Sequence, residues 1–352
     1  MVGFGFSGRT IHAPLIRAAG MQVTAVVTSQ LDQVRAICPD AHVRRDLPEM
    51  LESDDVDLVV IATPNHLHVQ QAVACLRAGR HVVVDKPAAL DRSQLDELIA
   101  IAGRYELKIS VFHNRRWDSD FLTLDRLLRA GRLGEISAFE SRWDRFRPQV
   151  PVRWRENRES GGGILLDLGS HLLDQALRLF GRPHWVQAAV IAQRHGATVD
   201  DAFEILMARD SLLIKLGVSS LAAAPAPRYR VNGARGTFVK SGFDVQEQQL
   251  RTGGDPLAVD FGWEPQSQCG TVIAANEAIS TANEAANESV PAERGCWLEF
   301  YRLMRASIED DGPVPVPLEQ AREVLEILDA VRRSSGEGRR VELPAIAPPS
   351  PG

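Results

Sequence analysis

The sequence predicts an α/β protein of two domains. The first is a doubly wound parallel sheet, and the second is an α/β domain with a large, mostly antiparallel open sheet. Three observations lead there. The chain has 352 residues, and at roughly 100–200 residues per domain that length implies two. Over residues 1–115, short apolar runs alternate with helical patterns. Beyond residue 116, strand-like segments follow one another without a long helix between each pair. The expected units are therefore 1–115, 116–343, and a Pro-rich tail at 344–352 expected to be disordered.

In the first unit the strand candidates are Gln22–Val27, Leu58–Ala62, His81–Val84 and Lys108–Phe112. Continuous Val/Ile runs of this length suit parallel strands buried on both faces. Helical patterns at Thr10–Ala19, Leu47–Glu52, Leu67–Ala78 and Ser93–Tyr105 separate them, with Gly79 as a C-cap and Asp91 or Ser93 as an N-cap. In the second unit, Ile136–Arg145, Trp185–Gln193, Ala202–Ala208, Leu212–Ser219 and Tyr229–Asn232 read as strands. Asp120–Ala130, Ile164–Phe180 and Glu319–Ser334 read as helices, and Ala274–Glu293 as a loop or weak helix.

A net charge of −6 argues against a nucleic-acid partner, which would require a concentrated basic surface. The four cysteines, Cys38, Cys75, Cys269 and Cys296, form no CxxC pair, so no zinc knuckle or redox dithiol is expected. No apolar run reaches the ~18–20 residues needed to span a membrane, and the N-terminus shows no signal pattern. The expectation is a cytoplasmic protein without a membrane partner.

Gly3, Gly5 and Gly8 form GFGFSG, a G-x-G-x-x-G match ahead of a helix. In such a loop the first glycine makes a tight turn, the second admits a pyrophosphate and the third lets helix and strand pack closely. Ordinary turns carry the same pattern, but the helix and strand that follow suit a dinucleotide-binding, Rossmann-type half. Phe6 and Ser7 complete the loop. Only Met1 and Val2 precede Gly3, too few for a full central strand, so part of the first strand is expected to lie upstream of Met1. At the end of the second strand, where a carboxylate would hold the ribose 2′-hydroxyl of NAD, stand Thr28 and Ser29. Nothing there repels a 2′-phosphate, and Arg9 or Arg35 could supply positive charge. NADP is therefore expected in preference to NAD.

VVVDKP (Val82–Pro87) places Lys86 directly after a buried strand, at the carboxyl end where parallel sheets bind ligands. Within Ile164–Phe180, Asp167, Ser170, His171, Asp174 and Arg178 share one helical stripe. A solvated face has the same look. However, Gly161-Gly162-Gly163 precedes it, the carboxylate lies one turn from the histidine, and imidazole titrates near neutrality. Those features suit a general acid/base.

GFGFSGRTIHAPLI, ATPNHLHV, HVVVDKP, RWRE and GGGILLDLGSHLLDQALRLFG occur in that order. The chain thereby resembles the Gfo/Idh/MocA oxidoreductases over nearly its whole length, although Asp85 stands where that family usually carries Glu. SVFHNRRWDSDFLT and DLGSHLLDQ are most similar to its NADP-dependent scyllo-inositol dehydrogenases. The resemblance implies that Lys86, Asp167 and His171 meet at the nicotinamide, and that the Lys86–Pro87 bond is cis. It further implies that Thr63, Pro64, Asn65, His68, Asp85 and Pro87 line the cofactor crevice, with Asn114, Trp154 and Arg155 reaching the cofactor. The substrate would be a sugar or inositol-like polyol, and a homodimer or homotetramer would form through the C-terminal sheet.

No metal is expected, since His66 and His68 open a helix rather than share a strand face. Arg115 and Arg116 of HNRRW serve either a ligand or a domain-junction ion pair. Trp143, Arg145, Phe146 and Arg147 fall at the edge of the substrate cleft. Two other readings compete with a dehydrogenase or reductase: a glycosidase using NAD transiently, and a non-enzymatic NADP-binding regulator.

Overall fold

The computed structural model describes residues 1–275 and 287–344. The parallel sheet is built from β1 (Ala25–Val27), β2 (His42–Arg44), β3 (Leu58–Ile61), β4 (His81–Asp85) and β5 (Ile109–Phe112). β1 pairs with β2, and β3-β4-β5 form a second parallel set. Val2 joins them by parallel bridges to both Val27 and Ile61. The spatial order is thus β2-β1-Val2-β3-β4-β5, that of a Rossmann sheet. Val59, Val82, Val83 and Val84 have no exposed surface, as strands covered by helices on both faces require. The C-cap and N-cap are as the sequence indicates: Gly79 has φ +74°, and the Asp91 carboxylate accepts from Gln94 N–H at 2.9 Å.

The second sheet contains β6 (Ile136–Arg142), β7 (Trp185–Ile191), β8 (Ala202–Arg209), β9 (Leu212–Ser219), β10 (Tyr229–Gly233), β11 (Gly236–Lys240), β12 (Gly270–Ala274), β13 (Asn287–Val290) and β14 (Val341–Glu342). Their order is β13-β12-β11-β10-β6-β9-β8-β7-β14. Only β6 and β9 run parallel; the other neighbours are antiparallel. One face packs on the helices Ser170–Phe180 and Leu318–Glu337, burying Phe139, Ile205, Leu216 and Tyr229. The other face carries Glu204, Lys215 and Arg230 outward.

Several elements differ from the sequence reading. Ala274–Glu293 is not simply a loop or weak helix, because Asn287–Val290 pairs with β12 as an edge strand; residues 276–286 lie outside the described residues. The disorder expected at 344–352 also falls outside them, apart from Pro344, whose carbonyl accepts from Arg182. Unforeseen helices occur at Leu31–Ile37, Gln246–Arg251 and Leu298–Glu309. The last packs beside Ala13–Ala18, and Val316 O accepts from Val111 N–H at 3.2 Å. The C-terminal part of the chain therefore returns to the parallel sheet and ties the two layers together.

Candidate active site

The glycine loop is shaped for a ligand. Gly3 has φ +90°, and a Cβ there would lie 2.5 Å from Ala62 O; one on Gly8 would lie 2.4 Å from Gly3 O. A Cβ on Gly5 would meet nothing within 4 Å. Two glycines thus allow backbone to touch backbone, and the third faces an open cradle. These are the three roles that a dinucleotide loop assigns, so the residues fit an NAD(P) pyrophosphate. The chain then winds through a π-helical turn at Ser7–His12 that runs on into the helix Ala13–Ala18, so the helical N-terminus, which favours anions, lies at Ser7 beside the loop.

At the end of β4, Asp85 is gripped from three sides. Ser7 Oγ donates to it at 2.6 Å, Lys86 N–H donates at 2.8 Å, and His12 Nε2 lies 3.5 Å away. Burial pushes this carboxyl up, but His12, Ser7 and the Lys86 charge outweigh burial and hold it well below the usual carboxylate range. His12 shares its Nδ1 with the hydroxyl of Tyr301. A carboxylate fixed in this way pins the glycine loop to the strand end that carries Lys86. The Lys86–Pro87 peptide is cis, and His68 Nδ1 lies 2.8 Å from Pro87 O while its Nε2 lies 2.9 Å from Thr63 O.

Lys86 reaches across to the second domain. Its ammonium donates to Asp167 Oδ1 at 2.9 Å and to Asp167 O at 2.5 Å. Arg155 Nε lies 3.8 Å from the same carboxylate. Burial opposes ionisation of Asp167, yet Lys86 and Arg155 keep its carboxyl well below the ordinary range. The turn Leu165–Gly169 is π-helical, so the stripe does not continue with ideal 3.6-residue spacing. Asp167 turns to Lys86, and although it lies one turn from His171 in the sequence, no hydrogen bond joins the two. The preceding glycines permit this approach: a Cβ on Gly161 would lie 2.3 Å from Leu90 Cδ2, and Asn65 Nδ2 donates to Gly161 O at 2.9 Å.

His171 lines the same cavity, 4% exposed, and makes no hydrogen bond among the described residues. Its Nδ1 is buried without a partner, which leaves Nε2 for the cavity. Burial, reinforced by the positive charge of Lys86, lowers its pKa well below 6.5. The neutral imidazole is thus the form present at pH 7, and its titration lies on the acid side of the near-neutral range that the residue type alone suggests. His113 packs edge-on against it at 6.1 Å. Of the rest of the stripe, Ser170 donates to Leu166 O, and Asp174 accepts two hydrogen bonds from Arg116. Arg116 is therefore the junction ion pair, whereas Arg115 faces the cavity, held by Glu247 at 2.7 Å.

The cavity, about 490 Å³, brings together Phe6, Ser7, Asp85, Lys86, Asn114, Arg155, Asp167 and His171. Gly3, Gly5, Gly8, Thr28, Ser29, Thr63, Pro64, Asn65, His68, Pro87 and Trp154 do not line it. Thr63, Pro64, Asn65 and His68 follow β3, and Thr28 and Ser29 follow β1 at the same end of the parallel sheet. Trp154 instead stacks under the Arg155 guanidinium. His66 is exposed while His68 is buried, and no metal-binding cluster occurs among the described residues. Sequence reasoning missed Phe243, Asp244, Glu247 and Arg251. Phe243 stacks on Trp143 at 4.8 Å, and Arg251 covers the Phe6 ring of the glycine loop at 4.5 Å. The Glu247–Arg251 spacing of four was a usable helix signal.

Comparison with known proteins agrees with this geometry. Residues 1–113 match the profile of the oxidoreductase family's NAD-binding Rossmann fold, and residues 125–343 that of its C-terminal alpha/beta domain. The oxidoreductase YdgJ of Escherichia coli strain K12 is 40% identical, over 94% of this chain and 93% of its own. A scyllo-inositol 2-dehydrogenase (NADP(+)) of Bacillus subtilis strain 168, IolW, is 35% identical over 97% and 95%. The structure of the oxidoreductase YvaA from Bacillus subtilis superposes with a TM-score of 0.93 at 35% identity, covering 97% of both chains. With both of its domains matched and its dinucleotide loop and Lys86 joined at one cavity, this chain is a dehydrogenase or reductase of the Gfo/Idh/MocA family of NAD(P)-binding oxidoreductases.

Proposed function

We propose that the enzyme moves a hydride between NADP(H) and a hydroxyl or carbonyl group of a sugar or cyclic polyol. The observation that carries this reading is the convergence of Lys86, Asp167 and His171 on the cavity that Phe6 and Ser7 of the glycine loop also line. When bound, the nicotinamide supplies or accepts the hydride. His171 Nε2, uncharged at neutral pH, accepts the hydroxyl proton in oxidation and returns it in reduction. Asp167 uses two of the three Lys86 ammonium hydrogens. The third remains to donate to the substrate oxygen and stabilise negative charge developing there. The other Asp167 oxygen is available to a neighbouring substrate hydroxyl and so helps to orient the ring.

Preference for NADP rests on Thr28 and Ser29 at the end of β1, where no carboxylate stands. Arg9 supports it, because its guanidinium extends to Gln33 on the helix after β1. The relative that acts on scyllo-inositol with NADP(+) favours an inositol-like substrate. The free state of all four cysteines suits the cytoplasm, and the outward face of the nine-stranded sheet is the surface we assign to a second copy of the chain. A panel of inositols, other polyols, aldoses, sugar acids and sugar phosphates, assayed by NADPH absorbance, tests the reading. Turnover of at least one cyclic polyol or sugar supports it, and turnover of none overturns it.

A further inference from the structure

Beyond Asp167 the main cavity opens into a second chamber of about 300 Å³. All of its lining residues fall between Arg145 and Ser220, so the Rossmann domain contributes none. This separates the chamber from the loop that receives the cofactor's phosphates. Five arginines face it against three carboxylates. The carboxylates are largely engaged: Glu156 holds Arg153 and Arg194 at 2.9 and 2.8 Å, and Asp167 holds Lys86. Asp200 accepts from Leu165 N–H at 2.6 Å.

Arg145 and Arg147 are different. Neither has an ion-pair partner among the described residues, and Arg145 Nε is buried without a hydrogen bond. The backbone explains their placement. After β6 the chain stays extended, with Trp143, Arg145 and Arg147 N–H donating to Gly217, Ser219 and Ser220 O at 2.7–3.0 Å. Alternate residues of an extended chain share a face, so all three side chains reach the site. Arg142 and Asp144 turn away and pair with each other at 2.9 Å. Burial and the crowding of like charges lower the Arg145 pKa to about 10, so an anion beside it would relieve both effects.

Resting on the hydride-transfer reading of the same cavity, we propose that the second chamber is an oxoanion subsite, and that the substrate is a sugar derivative carrying a carboxylate or phosphate. Its reacting carbon lies at Lys86 and His171, and its anionic group lies between the guanidinium groups of Arg145 and Arg147. A guanidinium fork matches either oxoanion through paired hydrogen bonds, and the chamber is large enough for a group of that size.

The test uses inorganic phosphate as the probe and the enzyme saturated with NADPH, so that the cofactor's own phosphate sites are filled. Calorimetry should show phosphate binding in the millimolar range. Arg145→Gln should weaken it at least ~tenfold, as expected when a charge-assisted hydrogen bond is lost. Arg147→Glu, an exposed position whose reversal spares the core, should do the same. NADPH affinity should remain that of the wild type in both, which also shows that the variants are folded. No phosphate binding below about 50 mM, or binding indifferent to both variants, overturns the subsite. That result would leave hydride transfer to a neutral polyol untouched, because this assay requires no turnover. If phosphate binds as expected, kcat/KM for a hexuronate, a hexose 6-phosphate and the neutral hexose identifies the anion. A neutral hexose preferred over both charged forms overturns the substrate assignment.

Discussion

Lys86 and Asp167, separated by 81 positions in the chain, meet at 2.9 Å across the domain junction. Neither is free to move independently. Lys86 follows a strand end pinned through Asp85 to the glycine loop, and Asp167 sits in a π-helical turn behind three glycines. The pair thus couples the cofactor-binding half of the molecule to the half that presents His171. Lys86→Ala should lower kcat by about 100-fold or more, since it removes the donor to the substrate oxygen. NADPH affinity should change by less than about fivefold, because the glycine loop binds the phosphates independently. Steady-state kinetics alongside a cofactor titration measures both.

Cofactor preference should be reversible at one position. Thr28→Asp places a carboxylate at the end of β1, where it repels a 2′-phosphate and can accept from a ribose hydroxyl. NADPH affinity should fall at least ~tenfold, while NADH affinity holds or improves. Fluorescence titration of both cofactors checks the sign. A wild-type enzyme that prefers NADH would contradict the reading of Thr28 and Ser29.

Two glycine variants should fail in opposite ways. A Cβ at Gly5 meets no protein atom within 4 Å, so Gly5→Ala should keep the wild-type melting temperature and lose cofactor affinity at least ~tenfold by filling the cradle. At Gly3 a Cβ meets backbone at 2.5 Å and φ is +90°. Gly3→Ala should therefore cost about 2 kcal/mol or more of stability. Thermal melts with cofactor titrations distinguish the two cases.

Stability should fall on mild acidification. His113 is 2% exposed, and burial lowers its pKa from 6.5 to about 4. The unfolded chain therefore binds a proton over that interval that the folded chain does not. Such a group contributes stability above pH 6.5, and the contribution is lost as pH falls through about 4. The loss amounts to about 3 kcal/mol at most. His171 adds to it in the same direction. Urea unfolding from pH 7 to pH 4 should show a steeper decline for the wild type than for His113→Asn.

Legibility in the sequence followed burial. The strands β3, β4 and β5 are continuous apolar runs because both of their faces are covered, so pattern alone found them. β2 and β13 escaped because they are three- and four-residue edge strands, HVR and NESV, held by backbone ladders rather than apolar side chains. The helix Leu298–Glu309 acquires its buried face only when the chain returns to the Rossmann layer. Within the site, Lys86 and His171 were visible because each follows a strong local signal, a strand end and a glycine run. Residue spacing did not show the Asp167–Lys86 contact, which only the family resemblance anticipated, because a π-helical turn leaves no mark in spacing. Arg145 and Arg147 were recognised as cleft residues, but their lack of partners appears only once Glu156 is seen to be taken by Arg153 and Arg194.

The central claim is that His171 transfers the proton while the glycine loop independently holds the cofactor. Turnover of His171→Ala with NADP(H) and the best substrate of the panel, measured with NADPH affinity on the same preparation, tests it most directly. Loss of a general acid/base should lower turnover by at least ~100-fold, with NADPH affinity within about threefold of wild type. Turnover within about threefold of wild type would contradict the account.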